Sequence, residues 1–396
     1  MRQGLIVVVL TLLVVVGAVG GGSALYILMG RTLFPALDSY DDYGPDLEPG
    51  VRVGEGYLTA RDIPVAGRMG SITDMVYAEL DTVAGPDIGL ASAEGVAILD
   101  SACEQRAFNR IAEYVDTIHF CHRRSDNSYF VYNCYGFGED NEAATFDLSG
   151  KQRWKFTGTE EYALLAAGDL DQDGRPEYVV AYSAEDDEST LLVLDTQGKE
   201  RSRLKTASIW DMRIAERLLD GGPALVTIED GERIVFRSER GHLVHEEPYP
   251  DLDGNLCVLD GFGDPKRQCV LVSEPGLLRV IDGTGATILN LTAPELDYPD
   301  LISAAIVAFA TDSPPLLAVI APTMDYEPTC LYLYTLDGTL AYFEVIDGYF
   351  ASLLALPGDG AKPGRLLAGG EDLLREFTRA EQTPVLQTPQ HDPGSS

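Results

Sequence analysis

The sequence is short of positive charge. Its 396 residues hold 29 Lys and Arg against 63 Asp and Glu, a formal net charge of −34 at neutral pH. Nucleic-acid phosphates are held by clustered cations, so a nucleic-acid partner is excluded and contact with anionic headgroups is opposed. Histidine is scarce as well, at five residues. His119 and His122, like His242 and His245, stand three apart, a spacing that on a strand sends the two rings to opposite faces and suits no metal. The chain has no Gly-x-Ser-x-Gly elbow, no phosphate-binding glycine loop and no His-Glu-x-x-His stretch, so the chemistries built on them have no footing. Cys121-His122 lacks the earlier Cys that covalent haem attachment requires. Of the two tryptophans, Trp154 and Trp210, core packing is the ordinary use, and an aromatic platform for a sugar or quinone is the alternative.

Charge is missing altogether from Gly4 to Gly30. A helix over that run would extend about 40 Å at about 1.5 Å per residue, beyond the ~30 Å hydrocarbon core of a bilayer. Residues 1–31 are therefore expected to form a single transmembrane anchor. Arg2 before the run and the acidic region after it favour an N-in orientation, which places the main domain in the periplasm or outside the cell. A cleaved signal peptide, with its core at Leu5 to Val16 and a small-residue site near Ala18-Val19-Gly20 or Gly22-Ser23-Ala24, is the alternative. Gly17 and Gly21 lie four apart, as do Ala18 and Gly22, giving a small-residue face that another membrane helix could approach closely. Subunits of a membrane protein complex are the partners this face leads one to expect.

Six cysteines in such a compartment could pair. Cys121 with Cys134 and Cys257 with Cys269 are each a hairpin's length apart, which leaves Cys103 and Cys330; free buried thiols are the alternative.

Beyond the anchor, residues 32–70 are acidic and punctuated by Pro and Gly, and read as a linker or arm. From 71 to 381 a unit recurs. Leu191-Leu192-Val193-Leu194-Asp195-Thr196-Gln197-Gly198 is matched by Leu277 to Gly285, Leu331 to Gly338, Ala144 to Gly150 and Arg233 to Gly241. The turn glycines Gly150, Gly198, Gly241, Gly285 and Gly338 recur at the spacing of a four-stranded propeller blade. Continuous apolar runs such as Ala224 to Ile228, Val270 to Val272 and Leu316 to Ile320 suit strands buried between blades. Counting weak copies near Val96 to Phe108 and Leu373 to Leu386, the expectation is an all-β, seven-bladed β-propeller. Six or eight blades remain possible, because closure could borrow a strand from Val51 to Leu58. Residues 382–396, Pro-rich and polar, read as a flexible tail.

One stretch carries chemistry. In Gly168-Asp169-Leu170-Asp171-Gln172-Asp173-Gly174-Arg175-Pro176-Glu177, four carboxylates alternate around a glycine-assisted turn. Asp169, Asp171 and Asp173 can point inward, Arg175 can offer its backbone carbonyl, and Glu177 can close the shell of a hard cation. A strand-like Tyr178-Val179-Val180 follows where an EF-hand would continue as a helix, so the loop sits between strands.

This loop resembles that of the FG-GAP/VCBS repeat family, known from integrin α-subunit-like propellers, in which a D-x-D-x-D-G-x-x-[DE] segment joins the first two strands of a blade. The resemblance covers about fifteen residues. It implies a propeller and one structural Ca²⁺ site at Asp169, Asp171, Asp173 and Glu177, with Arg175 giving main-chain oxygen. Asp251-Leu252-Asp253-Gly254-Asn255 and Gly358-Asp359-Gly360 keep fragments of the pattern without the later acid.

Taken together, these features lead to the expectation of a non-enzymatic, extracytoplasmic scaffold or accessory subunit of a membrane assembly. Two other classes remain open: a propeller enzyme of the quinoprotein-dehydrogenase or lyase type, and a carbohydrate- or peptide-binding receptor domain.

Overall fold

The computed structural model describes residues 47–380, apart from 82, 84, 112–117, 134, 138–141, 158–161, 184–187, 220–221, 250–253, 263–266, 295, 297–301, 311–312, 324–327 and 359–362. The expected anchor at 1–31, with Gly17 and Gly21, and the tail at 382–396 lie outside the described residues. Among the described residues no helix is long and apolar enough to cross a membrane.

Among the described residues, thirty strands form seven antiparallel sheets, one per blade. Blade 1 is built from Ile72–Ala78, Asp87–Ser92, Gly95–Leu99 and Gln105–Arg110, and blade 2 from Ile118–Arg123, Ser128–Asn133, Glu142–Asp147 and Gln152–Thr157. Blade 3 holds Tyr162–Gly168, Glu177–Ser183, Glu188–Leu194 and Glu200–Ala207, while blade 4 holds Ile209–Leu219, Gly222–Glu229, Arg233–Arg237 and Leu243–Pro248. Blade 5 runs Leu256–Asp260, Gln268–Glu274, Leu277–Ile281 and Thr287–Thr292; blade 6 runs Ser303–Val307, Leu316–Pro322, Thr329–Thr335 and Leu340–Ile346. Blade 7 takes Phe350–Leu356, Arg365–Gly370 and Leu373–Arg379 from the C-terminal end. The first strand of each blade touches that of the next, and Phe350–Leu356 touches Ile72–Ala78, which closes the ring.

The fourth strand of blade 7 comes from the other end of the chain. Leu58–Pro64 pairs antiparallel with Leu373–Arg379, from Leu58 opposite Arg379 to Pro64 opposite Leu373. Gly50–Val53 adds a fifth strand to blade 6, against Leu340–Ile346. The linker reading of 32–70 is therefore corrected for 50–64. These residues show no apolar alternation because they are sheet edges facing solvent, and what orders them is pairing with distant strands.

The second strands explain the apolar runs. Leu316–Pro322 and Asp87–Ser92 are buried at every position, because each lies mid-sheet with a neighbouring blade on both faces. Outer strands such as Glu200–Ala207 alternate between exposed and half-buried. Apolar clusters lie between blades: Leu331, Phe350 and Leu366 join blades 6 and 7, and Val96, Ile118 and Val131 join blades 1 and 2.

Polar stitches hold neighbouring blades in register. The Asp74 carboxylate accepts the Phe120 N–H at 2.7 Å, and that of Asp211 accepts the Leu256 N–H at 2.7 Å. Ser189 accepts from Ile209 N–H, Ser303 from Leu353 N–H, and the Ser352 hydroxyl donates to the Ile72 carbonyl, each at 2.9 Å. Between blades, where apolar contact is non-directional, such bonds fix the angle at which one sheet meets the next.

The turn glycines do the same job five times. Gly150, Gly198, Gly241, Gly285 and Gly338 all have positive φ, between 75° and 95°, and each donates its N–H to the carbonyl three residues earlier. Past each of these turns the register slips by one residue, and blade 1 shows the same slip between Leu99 and Gln105. The extra residues are Arg106, Arg153, Arg201, Val244, Ile288 and Ala341. The closing pair of blade 7, which has no hairpin turn, shows no slip. The bulge thus belongs to the hairpin rather than to the blade.

The cysteine expectation is corrected. Cys257 faces Leu271 and Cys269 faces Leu259, so the two are diagonal neighbours, about 7–8 Å apart in such a ladder and beyond disulfide reach. Cys103, Cys121, Cys257 and Cys269 are free thiols. Cys121 stands opposite Phe130, and Cys134 lies outside the described residues. Burial pushes the Cys257 thiol up to about 11 and raises Cys121 and Cys269 too, which keeps them protonated and inert.

Candidate metal centre

The loop 169–176 joins the first and second strands of blade 3, whose register runs from Ala163 opposite Tyr182 to Gly168 opposite Glu177. Its path is set by short side-chain-to-backbone bonds. Asp169 Oδ2 accepts the Gly174 N–H at 3.1 Å, Asp171 Oδ1 accepts the Asp173 N–H at 3.1 Å, and Asp173 Oδ1 accepts the Arg175 N–H at 2.8 Å. Such Asx turns are what Asp offers a tight bend. Gly174 adopts φ +86°, and its carbonyl accepts the Ser125 N–H at 2.6 Å, which pins the loop to the first hairpin of blade 2. A Cβ at Gly174 would sit 3.3 Å from that hairpin's backbone, a tight contact, and the positive φ is what favours glycine here.

Three of the expected residues come together. Carboxylate oxygens of Asp169, Asp171 and Glu177 lie within 4.8 Å of one another. Asp173 and Arg175 are exposed at the loop's tip, and Asp173 is not part of that group. Glu177 is fully buried and Asp169 is 3% exposed. Glu177 Oε2 accepts the N–H groups of Leu170 at 3.0 Å and Asp171 at 3.2 Å, while the buried Asp169 Oδ1 receives no hydrogen bond. A buried carboxylate oxygen without a donor is energetically costly. Desolvation, reinforced by the neighbouring Asp171, pushes Glu177 up to about 7, with Arg201 opposing. The donor set is all oxygen and anionic, so it fits a hard divalent cation.

Arg201 was not legible as part of this site. It is the extra residue of the bulge on the outer strand of blade 3, and its Nη1 reaches Asp171 Oδ2 at 2.6 Å and Glu177 Oε1 at 3.0 Å. Beside it opens a cleft of about 740 Å³ between blades 3 and 4, lined in part by Gln172, Ser238, Arg240 and Val244.

Blade 1 holds a copy that sequence reading also missed. Glu79-Leu80-Asp81 and Pro86-Asp87 stand at the spacing of Asp169-Leu170-Asp171 and Pro176-Glu177. Asp87 Oδ2 accepts the N–H groups of Leu80 at 3.0 Å and Asp81 at 3.2 Å, as Glu177 does in blade 3. Arg106, the bulge residue of blade 1, reaches Asp87 Oδ1 at 2.7 Å and Asp81 Oδ2 at 3.1 Å. The signal available in the sequence was the equal nine-residue span, hidden because Val83, Ala84 and Gly85 replace the Asp-Gly-Arg of blade 3.

The other candidates are placed plainly. His119 lies 3.8 Å from Asp74, whereas His122 stacks on Tyr129 and shares a hydrogen bond with Asn127 at 3.1 Å. Trp154, on the outer strand of blade 2, stacks on Tyr178 with ring centres 5.0 Å apart. Trp210, on the first strand of blade 4, is 47% exposed, so the two share no platform and only Trp154 is interior packing.

No family model matches the sequence, and no curated protein matches it. Solved structures share the architecture. BBS1N, in a crystal structure with ARL6DN soaked with mercury, is 13% identical over 84% of this chain and 99% of its own, with a TM-score of 0.56. The lead-soaked form of that complex gives 12% identity, the same coverage and a TM-score of 0.54. The WD40 domain of Neurospora crassa Pan2 is 9% identical over 84% of this chain and 98% of its own, with a TM-score of 0.50. At these identities the likeness is one of fold, and the fold is the seven-bladed β-propeller.

Proposed function

We propose that this chain is a calcium-stabilised propeller of the FG-GAP/VCBS kind, serving as a non-enzymatic scaffold for partner proteins. The observation that carries the calcium reading is the buried Asp169 Oδ1, which receives no hydrogen bond, beside a fully buried Glu177 whose Oε1 meets only the Arg201 guanidinium. Asp169, Asp171 and Glu177 would hold the ion, with Asp173 and the Arg175 carbonyl completing its shell from the exposed tip. The ion would neutralise the cluster and tie the first two strands of blade 3 together, a structural role.

The partner reading rests on two supports. BBS1N, which has this fold, was crystallised with ARL6DN, so this architecture can present a protein-binding face. A charge of −34 favours a partner with a basic surface, drawn in by long-range attraction. In this reading Gly4 to Gly30 anchors the chain, the Gly17 and Gly21 face packs against another membrane helix, and the propeller stands outside the cytoplasm.

Mild-detergent purification of the full chain, with native mass measured by light scattering, tests the accessory-subunit role. Stoichiometric membrane subunits at a defined mass are expected; a chain that migrates alone at its monomer mass refutes it.

A further inference from the structure

Arg201 stands where a cation would. Its guanidinium touches Asp171 and Glu177 but leaves Asp169 Oδ1 without a hydrogen bond. One positive charge and two contacts do not satisfy three carboxylates, whereas a divalent ion could touch all three at once. Blade 1 holds the same device with two carboxylates in place of three. There Asp81 and Asp87 alone face Arg106, Glu79 at the position of Asp169 is exposed, and Val83 replaces Asp173. The Arg106 side chain is 26% exposed and meets the fully buried Asp87. Arg201 is freer, at 39% exposed, and it borders an open cleft that gives the side chain somewhere to go.

We infer that Arg201 is a built-in counter-cation that competes with the metal ion for the blade 3 loop, and that Arg106 is its permanent counterpart in blade 1. The inference rests on the calcium reading above and adds to it the residue that sets the site's affinity. With calcium absent, Arg201 holds the acidic loop together; with calcium present, it is displaced toward the cleft, and the loop exchanges one cation for another. The bulge supplies the geometry, because the extra residue turns the arginine off the outer strand and over the loop.

The test is calorimetric titration of full-length protein in mild detergent with calcium chloride, together with thermal unfolding in calcium and in chelator. R201Q is expected to bind calcium roughly tenfold tighter than wild type, equivalent to about 1.4 kcal/mol of competition removed. It is also expected to melt lower in chelator and to recover the loss when calcium is added. R201K, which keeps a compact charge without the fork, should fall between the two. R106Q should melt lower with or without calcium, since blade 1 has no ion to rescue it. Tighter binding by R201Q, or binding seen in R201Q alone, supports the competition. Equal affinity in wild type and R201Q overturns the competition and leaves the calcium reading standing. If neither protein binds calcium, the calcium reading falls and takes the competition with it.

Discussion

Gly198 lies where one atom decides a fit. Its φ is +75°, and a Cβ there would overlap the Trp154 indole, which is stacked on Tyr178. Gly276 has φ +69° with open space around it. Gly198→Ala should therefore destabilise by about 2–4 kcal/mol, combining backbone strain with overpacking, and Gly276→Ala by only about 1 kcal/mol. Circular-dichroism melts of the two variants separate the clash from the strain. Glu177 yields a second prediction. Its folded pKa is raised to about 7 from the usual 4.5, so in chelator it contributes stability that is full below 4.5 and is lost as pH rises through about 7. Melts in chelator should lose that contribution across this window, and E177Q, which cannot ionise, should not show the loss. At this scale the acidic loop was legible because its ligands are neighbours in sequence. Arg201 was not, because it reaches the loop from the far side of the sheet through a bulge that no local pattern announces.

Among the elements, the closing strand is the most exposed to challenge. Leu58–Pro64 is held by backbone pairing, by the Thr59 and Thr378 hydroxyls at 2.8 Å, and by Arg375, whose Nε and Nη2 meet the Asp62 carboxylate at 2.6 and 2.9 Å. The Arg375 hydrogen bonds hold Asp62 below its ordinary value of 3.8. That contribution is present above 3.8 and disappears as pH falls through the lower folded value. D62N should lower the melting temperature near neutral pH, and the gap to wild type should close in acid; a gap that persists there contradicts the assignment. The hairpins were readable, since Gly at the αL position of each turn is a local demand. Leu58–Pro64 was not, since its partner lies more than 300 residues away and its own pattern is that of a solvated edge. Tyr135–Phe137, which leaves blade 2 to pair with Tyr162–Gly168 of blade 3, was likewise invisible, because three residues carry no period.

The described residues close into a ring, and the chain as a whole has a surplus of acid. Apolar interfaces lie between its blades, and Leu58–Pro64 pairs the start of the ring with its last strand. If a basic partner is steered by the net charge, its association rate should fall steeply as salt rises while its dissociation changes little, a contrast that stopped-flow binding with the purified partner would read. The blade count followed from the repeat; the sequence offers Val51 to Leu58 as a borrowed closing strand, whereas the strand that closes blade 7 is Leu58–Pro64 and Gly50–Val53 goes to blade 6. The central claim is that one ion completes the loop of blade 3. Thermal unfolding of the full-length protein in excess calcium chloride and in chelator tests it most directly, with D171A alongside. The account predicts a higher melting temperature in calcium for the wild type and no calcium response in D171A. Identical melts for the wild type in both conditions, or a calcium response that survives in D171A, would contradict it.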